Sequence, residues 1–128
     1  MWNPQHLARI IQADDLKIAP YHPDLATTGT PTWIWCVQVD GDLYVRAYSG
    51  TASRWYQAAL KQGAGRINAA GQQIEVWFEP VEGRINETID AAYRAKYAKS
   101  VYLGSMVSAG ARAATVRISP APVAVRQD

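Results

Sequence analysis

A chain of 128 residues is long enough for one domain with a single hydrophobic core. Its 13 Lys and Arg against 11 Asp and Glu leave a net charge of +2, too small for a surface that binds a nucleic-acid backbone. The single cysteine, Cys36, excludes an internal disulfide, and no pattern of Cys and His indicates a zinc site.

No segment of the sequence predicts export or membrane insertion. The first ten residues contain a proline and polar or charged side chains where a secretory signal has an apolar core. No apolar run approaches the roughly 20 residues that span a bilayer. We therefore expect a soluble cytoplasmic protein whose partners include neither a membrane nor a nucleic acid.

The first part of the chain predicts a helix, a strand and a hairpin. Asn3 and Pro4 are typical of an N-cap followed by proline at the first helical position, and the helix should end near Ala13. "DLKIAPY" alternates as a short strand and is followed by a polar loop. In "TWIWCVQVDGDLYVRAY", two apolar runs flank Asp40 and Gly41, which suit a tight turn. This segment predicts a hairpin.

The two strands of this hairpin differ in their faces. The first is apolar on both, with Trp33 and Trp35 on one face and Ile34 on the other, so both faces must be covered. A closed barrel with flanking helices would cover them. The two tryptophans either fill that barrel or stack on a planar ligand. The second strand alternates and places Arg46 beside Tyr48 on a tyrosine-lined face.

The middle of the chain predicts a helix and a second hairpin. Apolar residues at helical spacing indicate a helix over 53–62, ended by the glycine pair Gly63 and Gly65. The segment "RINAAGQQIEVWFEPVE" predicts the hairpin, with alternating apolar residues in its second strand.

The last third predicts one more helix and one more strand. The helix should begin at Asn86 as its N-cap and contain an i,i+4 ion pair between Asp90 and Arg94. After the small-residue loop "LGSMVSAGA", the segment "ARAATVRISP" predicts the final strand. We expect a single domain over 1–119 and an extended tail over 120–128.

The segment "YVRAYSGTASRWY" has the features of an anion site. A helix that begins near Ser53 has unpaired N–H groups and a partial positive charge at that end, which disfavours Arg54 in the first turn. Arg46 lies just upstream on the strand that leads into the same loop. A bound phosphate or carboxylate would relieve this repulsion. Alternatively, a serine caps the helix and both arginines extend into water, and spacing alone does not distinguish the two.

The same segment resembles the flavin-binding split-barrel superfamily. Ser53 and Arg54 match the Ser-Arg pair that holds the flavin phosphate in the pyridoxamine phosphate oxidase branch. Gly50 with Trp55 and Tyr56 is similar to the pattern of the deazaflavin-dependent nitroreductase branch, as is "TTGTPTWIWCVQVDGDLYV" upstream. Across nearly the whole chain, including "IDAAYRAKY" and "ARAATVRISP", the sequence resembles an uncharacterised bacterial domain-of-unknown-function family of this clan.

The resemblance implies an α+β fold, a six-stranded split β-barrel with flanking helices, commonly a homodimer with the cofactor at the subunit interface. It implies an oxidoreductase that acts on a small molecule with FMN or a deazaflavin coenzyme. The cofactor-binding residues would be Arg46, Tyr48, Ser49, Gly50, Ser53, Arg54 and Trp55. Two departures from the pattern are the absence of basic residues over 26–28 and the tryptophan that follows the Ser-Arg pair, where the oxidase branch has lysine.

Two other functions stay open. The same barrel could be a non-redox module that binds an anionic metabolite or haem, which the absence of basic residues over 26–28 favours. It could also be a cofactor-free enzyme of lyase or cyclase type. No catalytic side chain is predicted, since His6, His22, Asp14 and Cys36 all have ordinary structural interpretations. A cofactor that carries the hydride itself would need no side-chain nucleophile.

Overall fold

The computed structural model describes residues 2–121, which form five α-helices and seven β-strands. The helices are α1 Pro4–Ala13, α2 Arg54–Gln62, α3 Ile85–Lys96, α4 Leu103–Met106 and α5 Ala109–Ala113, with a 3₁₀ turn at Gly50–Ala52 before α2. The strands are β1 Lys17–Pro20, β2 Thr32–Trp33, β3 Cys36–Val39, β4 Asp42–Arg46, β5 Ala64–Ala69, β6 Gln72–Pro80 and β7 Thr115–Pro120.

The strands form one curled antiparallel sheet in the order β2-β1-β5-β6-β7-β4-β3. The two outermost strands, β2 and β3, are separated in the chain only by Ile34 and Trp35. Since these two residues connect opposite edges of the sheet, the sheet must curl until its edges approach each other. The Ile34 backbone N–H, which donates to the Leu16 carbonyl at 3.0 Å, helps to hold the bend at the β1 edge.

The predicted number of six strands is wrong by one. The sequence predicts a single strand over 33–39, but the structure divides this segment at Ile34 and Trp35. The first piece pairs with β1 and the second pairs with β4, which lie far apart in the sheet order. A straight strand cannot pair with both partners, so the chain bends between them. The predicted α+β class with flanking helices is otherwise confirmed, and in place of the predicted barrel the structure has a single curled sheet.

Both predicted hairpins are present, and both have two-residue turns. Asp40 and Gly41 have φ values of 51° and 84°, and Ala70 and Gly71 have values of 50° and 79°. Positive φ at both central residues is the geometry that matches the twist of the flanking strands. The predicted cap of the first helix is also present, because the Asn3 side chain accepts hydrogen bonds from the backbone N–H groups of Gln5 and His6.

The buried apolar residues form two clusters on opposite faces of the sheet. One contains side chains of α1, α2 and most strands, among them Leu7, Ile18 and Cys36. The other lies between α3 and the hairpin of β3 and β4, and it includes Val37 and Ile89. The hairpin is therefore covered on both faces, as its two-sided apolar pattern predicts.

The C-terminal end of the described region completes the sheet. Strand β7 extends to Pro120, and the N–H of Ala121 donates to the Glu75 carbonyl of β6 at 2.9 Å. The remainder of the predicted tail, 122–128, lies outside the described residues. Over residues 2–121, no helix combines the length and the apolar character needed to cross a membrane.

Candidate functional site

A cavity of about 410 Å³ lies where the bend between β2 and β3 meets the end of β4, the start of α2 and helix α4. Five of its eleven lining residues are aromatic, namely Trp33, Trp35, Tyr48, Trp55 and Tyr102. We call this cavity the aromatic pocket. Its volume lies within the range of about 300–1,000 Å³ that is common for small-molecule sites.

The other lining residues are mostly small or apolar. Ile34 and Met106 add apolar surface, and Thr32, Ser49 and Ser53 contribute hydroxyl groups. Ser53 occupies the N-cap position of α2 but makes no capping hydrogen bond with its side chain. Its hydroxyl group therefore remains available to a ligand.

The structure brings five of the seven predicted cofactor-binding residues to this pocket, namely Arg46, Tyr48, Ser49, Ser53 and Trp55. The other two, Gly50 and Arg54, are next to lining residues in the chain but do not line the pocket themselves. Gly50 is buried in the 3₁₀ turn with a φ of 76°, packed close to Gly110 of α5. Arg54 is exposed and takes part in none of the ion pairs within residues 2–121. The contacts of all seven with a cofactor stay a prediction.

Arg46 lines the pocket but uses all of its N–H donors within the protein. Its side chain is fully buried. Nη1 donates to the Asp90 carboxylate at 2.5 Å and to the Met106 carbonyl at 3.1 Å. Nη2 donates to the carbonyl and side-chain oxygens of Asn86 at 3.2 and 3.0 Å, and Nε donates to the Thr115 hydroxyl at 3.0 Å. A guanidinium group has five N–H bonds, so none is left for an anion in the pocket.

Helix α3 supplies two of the partners of Arg46, Asn86 and Asp90, and two predictions about this helix are wrong. Asn86 lies inside the first turn rather than at the N-cap, because the helix begins at Ile85. Asp90 pairs with Arg46 and, at 3.5 Å, with Arg112, rather than with Arg94. The side chains of Asn86 and Asp90 lie one turn apart on the buried face of α3. They satisfy a buried cation, which is a stronger requirement than an exposed i,i+4 pair.

Trp35 forms part of the opposite wall and is held from behind by Tyr97. The two rings stack with centroids 3.9 Å apart and an angle of 4° between their planes. The Tyr97 hydroxyl donates to the Asp14 carboxylate at 2.5 Å and lies 3.2 Å from the backbone N of Cys36, which donates to it. Lys96 lies 3.2 Å from the same carboxylate and donates to the Cys36 carbonyl at 2.8 Å. These contacts fix the bend on which Trp35 lies.

Burial and the hydrogen bond to Asp14 raise the pKa of Tyr97 well above its ordinary value. The phenol therefore stays protonated and continues to donate to the carboxylate at neutral pH. Asp14 also ends α1 as its C-cap, with a φ of 51°. Its role is structural, as the sequence indicates.

The mouth of the pocket includes residues that sequence reasoning did not assign to a site. Tyr102 is 58% exposed and meets Tyr48, 55% exposed, edge to face with ring centroids 6.1 Å apart. Tyr102 precedes α4, in a segment whose small residues predict only a loop, and Met106 lies in α4 itself. The only sequence signal for this part of the pocket was Tyr102, an aromatic residue directly before that run of small residues.

Cys36 is expected to be unreactive in the folded protein. Its side chain is fully buried, and burial raises the pKa of its thiol to about 11. The thiolate is the reactive form, so Ellman's reagent should fail to modify native protein at pH 8 and should modify one thiol after denaturation. Because the pKa is raised on folding, any stability linked to this group is present below pH 9 and is lost as pH rises towards 11. Rapid modification of the native protein would contradict the buried position.

The sequence over residues 6–118 matches a family described as an uncharacterized protein conserved in bacteria, DUF2255. The chain belongs to this family. The chain-wide resemblance noted from the sequence is therefore confirmed at the level of an uncharacterised bacterial family. Among curated proteins, none matches the DUF2255 chain.

Solved structures include chains of similar fold. The crystal structure of Campylobacter jejuni ChuZ matches with a TM-score of 0.63 and covers 90% of this DUF2255 chain at 9% sequence identity. The match covers 50% of the ChuZ chain, so this protein spans about half of its length. At this identity the likeness shows fold alone. It is consistent with a split-barrel-like fold for the curled sheet and its flanking helices.

Proposed function

We propose that this protein binds a flat aromatic small molecule in the aromatic pocket, with a flavin or a deazaflavin as the first candidate. The observation that carries the proposal is the convergence of five aromatic side chains on one cavity at the start of α2. This is also where the resemblance to flavin-binding split barrels places the cofactor. With a flavin bound, we propose that the protein acts as an oxidoreductase.

The wall of the pocket supports a planar ligand. The Tyr97 ring covers one face of Trp35, so only the other face and the edges of the indole remain for a ligand. Offset stacking of aromatic rings adds about 0.5–1.5 kcal/mol to the burial of their surface. The hydroxyl groups of Ser49 and Ser53 supply hydrogen bonds that orient a polar edge of the ring system.

The side chains of the pocket would position the cofactor rather than perform the chemistry. Among the lining residues, none is an imidazole, a thiol or a carboxylic acid. A flavin or deazaflavin would supply hydride transfer when bound, and the protein would supply a shaped cavity that orients it. Gly50 and Arg54 belong to the proposal as residues that flank the pocket. Arg46 belongs to it as a positioning residue that holds α4 through the Met106 carbonyl.

A non-redox binding module on the same pocket is the second candidate. The observation that favours it is the saturation of Arg46, which leaves no charged lining group to hold a cofactor phosphate. Native mass spectrometry of freshly purified protein separates the two candidates, because a co-purified ligand other than a flavin would favour the module. The expected homodimer also stays a proposal, supported by the exposure of Trp33, Tyr48 and Tyr102 at the mouth of the pocket.

The binding test uses FMN and a deazaflavin as probes, titrated into colourless protein and followed by tryptophan fluorescence and by the visible spectrum. We expect saturable binding that Trp35→Ala weakens at least about tenfold, because this change removes the stacking surface. The matched control is Trp77→Ala, which removes a tryptophan that is 52% exposed on β6 and does not line the pocket. Thermal melting of both variants checks that they fold. Failure of both probes to bind at high micromolar concentration would remove the proposal.

A further inference from the structure

Among the side chains that line the aromatic pocket, only that of Arg46 is charged at neutral pH. Its charge is compensated by Asp90 at 2.5 Å, and its five N–H groups all have protein acceptors. An anion placed against it would meet no free donor. It would also have to displace a buried carboxylate or carbonyl from its partner, which leaves that group unsatisfied.

The neighbouring cations do not replace it. Arg112 lies 3.5 Å from the second oxygen of Asp90, but it does not line the pocket, and its side chain is 39% exposed. Arg54 is exposed at the start of α2 and also lies outside the lining. Besides Arg46 and the aromatic N–H and O–H groups, the only polar side-chain groups that line the pocket are the hydroxyls of Thr32, Ser49 and Ser53. Hydroxyl groups and aromatic faces satisfy an uncharged heterocycle, whereas an anion without a charged partner loses its hydration at a large cost.

We infer that the pocket selects an uncharged aromatic ring system, and that a phosphate on the ligand contributes nothing to its affinity. For a flavin this means that riboflavin is bound as tightly as FMN. The inference rests on the proposed function, because it specifies which form of the planar ligand the same pocket takes. It differs from the sequence-based expectation, in which Arg46 and Arg54 bind the phosphate.

The test compares three probes with the same rings and different tails. Lumiflavin has only a methyl group in place of the side chain, riboflavin has an uncharged ribityl chain, and FMN adds a phosphate. Each is titrated into the wild-type protein at low and at high salt, with quenching of tryptophan fluorescence as the measurement. We expect the dissociation constants of riboflavin and FMN to agree within about threefold, whereas a charge-assisted contact to phosphate would favour FMN at least about tenfold. Salt should leave the affinity for FMN unchanged, because salt screens attraction between charges and no such attraction contributes to the binding.

One arginine variant and one charge-matched control show whether Arg54 is responsible if FMN is preferred. Arg54→Ala removes the cation nearest to Ser53 in the chain, and Arg9→Ala removes an exposed arginine of α1 that does not line the pocket, with the same change in net charge. We expect both variants to bind FMN as the wild type does. A preference for FMN of more than about threefold overturns the inference. If that preference is lost in Arg54→Ala alone, the phosphate is bound by Arg54 and the proposed function stands. If none of the three probes binds, the proposed function and the inference are both overturned.

Discussion

Replacement of Asp90 by alanine is expected to lower the free energy of unfolding by about 3–5 kcal/mol. The carboxylate lies 2.5 Å from Nη1 of Arg46, whose side chain is fully buried. Without it, the guanidinium group keeps its charge in an apolar interior and one of its N–H groups loses its acceptor. Because the partner charge stays behind, the loss exceeds the net contribution of the ion pair itself. Urea denaturation followed by circular dichroism measures the effect.

The matched control is Glu87→Ala, which removes an exposed carboxylate from the first turn of the same helix and should change stability by less than about 1 kcal/mol. Asp90→Asn keeps a hydrogen-bond acceptor, so its loss of unfolding free energy should lie between those of Asp90→Ala and Glu87→Ala. A loss below about 1 kcal/mol for Asp90→Ala would mean that water or another acceptor satisfies Arg46, and that the pocket is more open than the structure indicates.

Asp90 also illustrates which part of the fold the sequence could not predict. Its partner is 44 residues away along the chain, and periodicity reports only neighbours on one helix face. Local rules therefore paired it with Arg94. The hairpin turns at Asp40 and Gly41 were predictable because positive φ is a local property of those residue types. The break at Ile34 and Trp35 was not, since it depends on where the two edges of the sheet meet.

The candidate site divides in the same way. Tyr48, Ser49, Ser53 and Trp55 belong to one continuous segment, and its loop-to-helix pattern was enough to place them together. The opposite side of the pocket comes from Trp35 and from the region around α4, which only the folded sheet brings near that segment. The same limit applies to Arg46. Its position on the strand was visible in the sequence, but the saturation of its N–H groups by three distant segments was not.

Replacement of Gly65 by alanine is expected to destabilise the fold by about 3 kcal/mol, the upper end of the range for overpacked sites. The sequence suggested that Gly63 and Gly65 both end a helix. Gly63 does so, as the C-cap of α2 with a φ of 68°, but Gly65 lies within β5, opposite Pro20 of β1. A Cβ atom there would lie 2.6 Å from both the Ala19 carbonyl oxygen and the Pro20 Cα, and 2.9 Å from the Phe78 ring.

Two of these three contacts are with backbone atoms, which cannot rotate away as a flexible side chain can. Strand β1 would have to move away from β5, and β1 is the strand that holds β2 and the bend carrying Trp35. Gly65→Ala should therefore displace Trp35 in the aromatic pocket as well as destabilise the fold. It should reduce the affinity for FMN even under conditions where the variant is folded. Gly104→Ala is the control, because a Cβ in α4 meets no atom within 4 Å, so this change should be neutral or slightly stabilising. Equal stability of the two variants in urea would show that β1 and β5 are less closely packed than the structure has them.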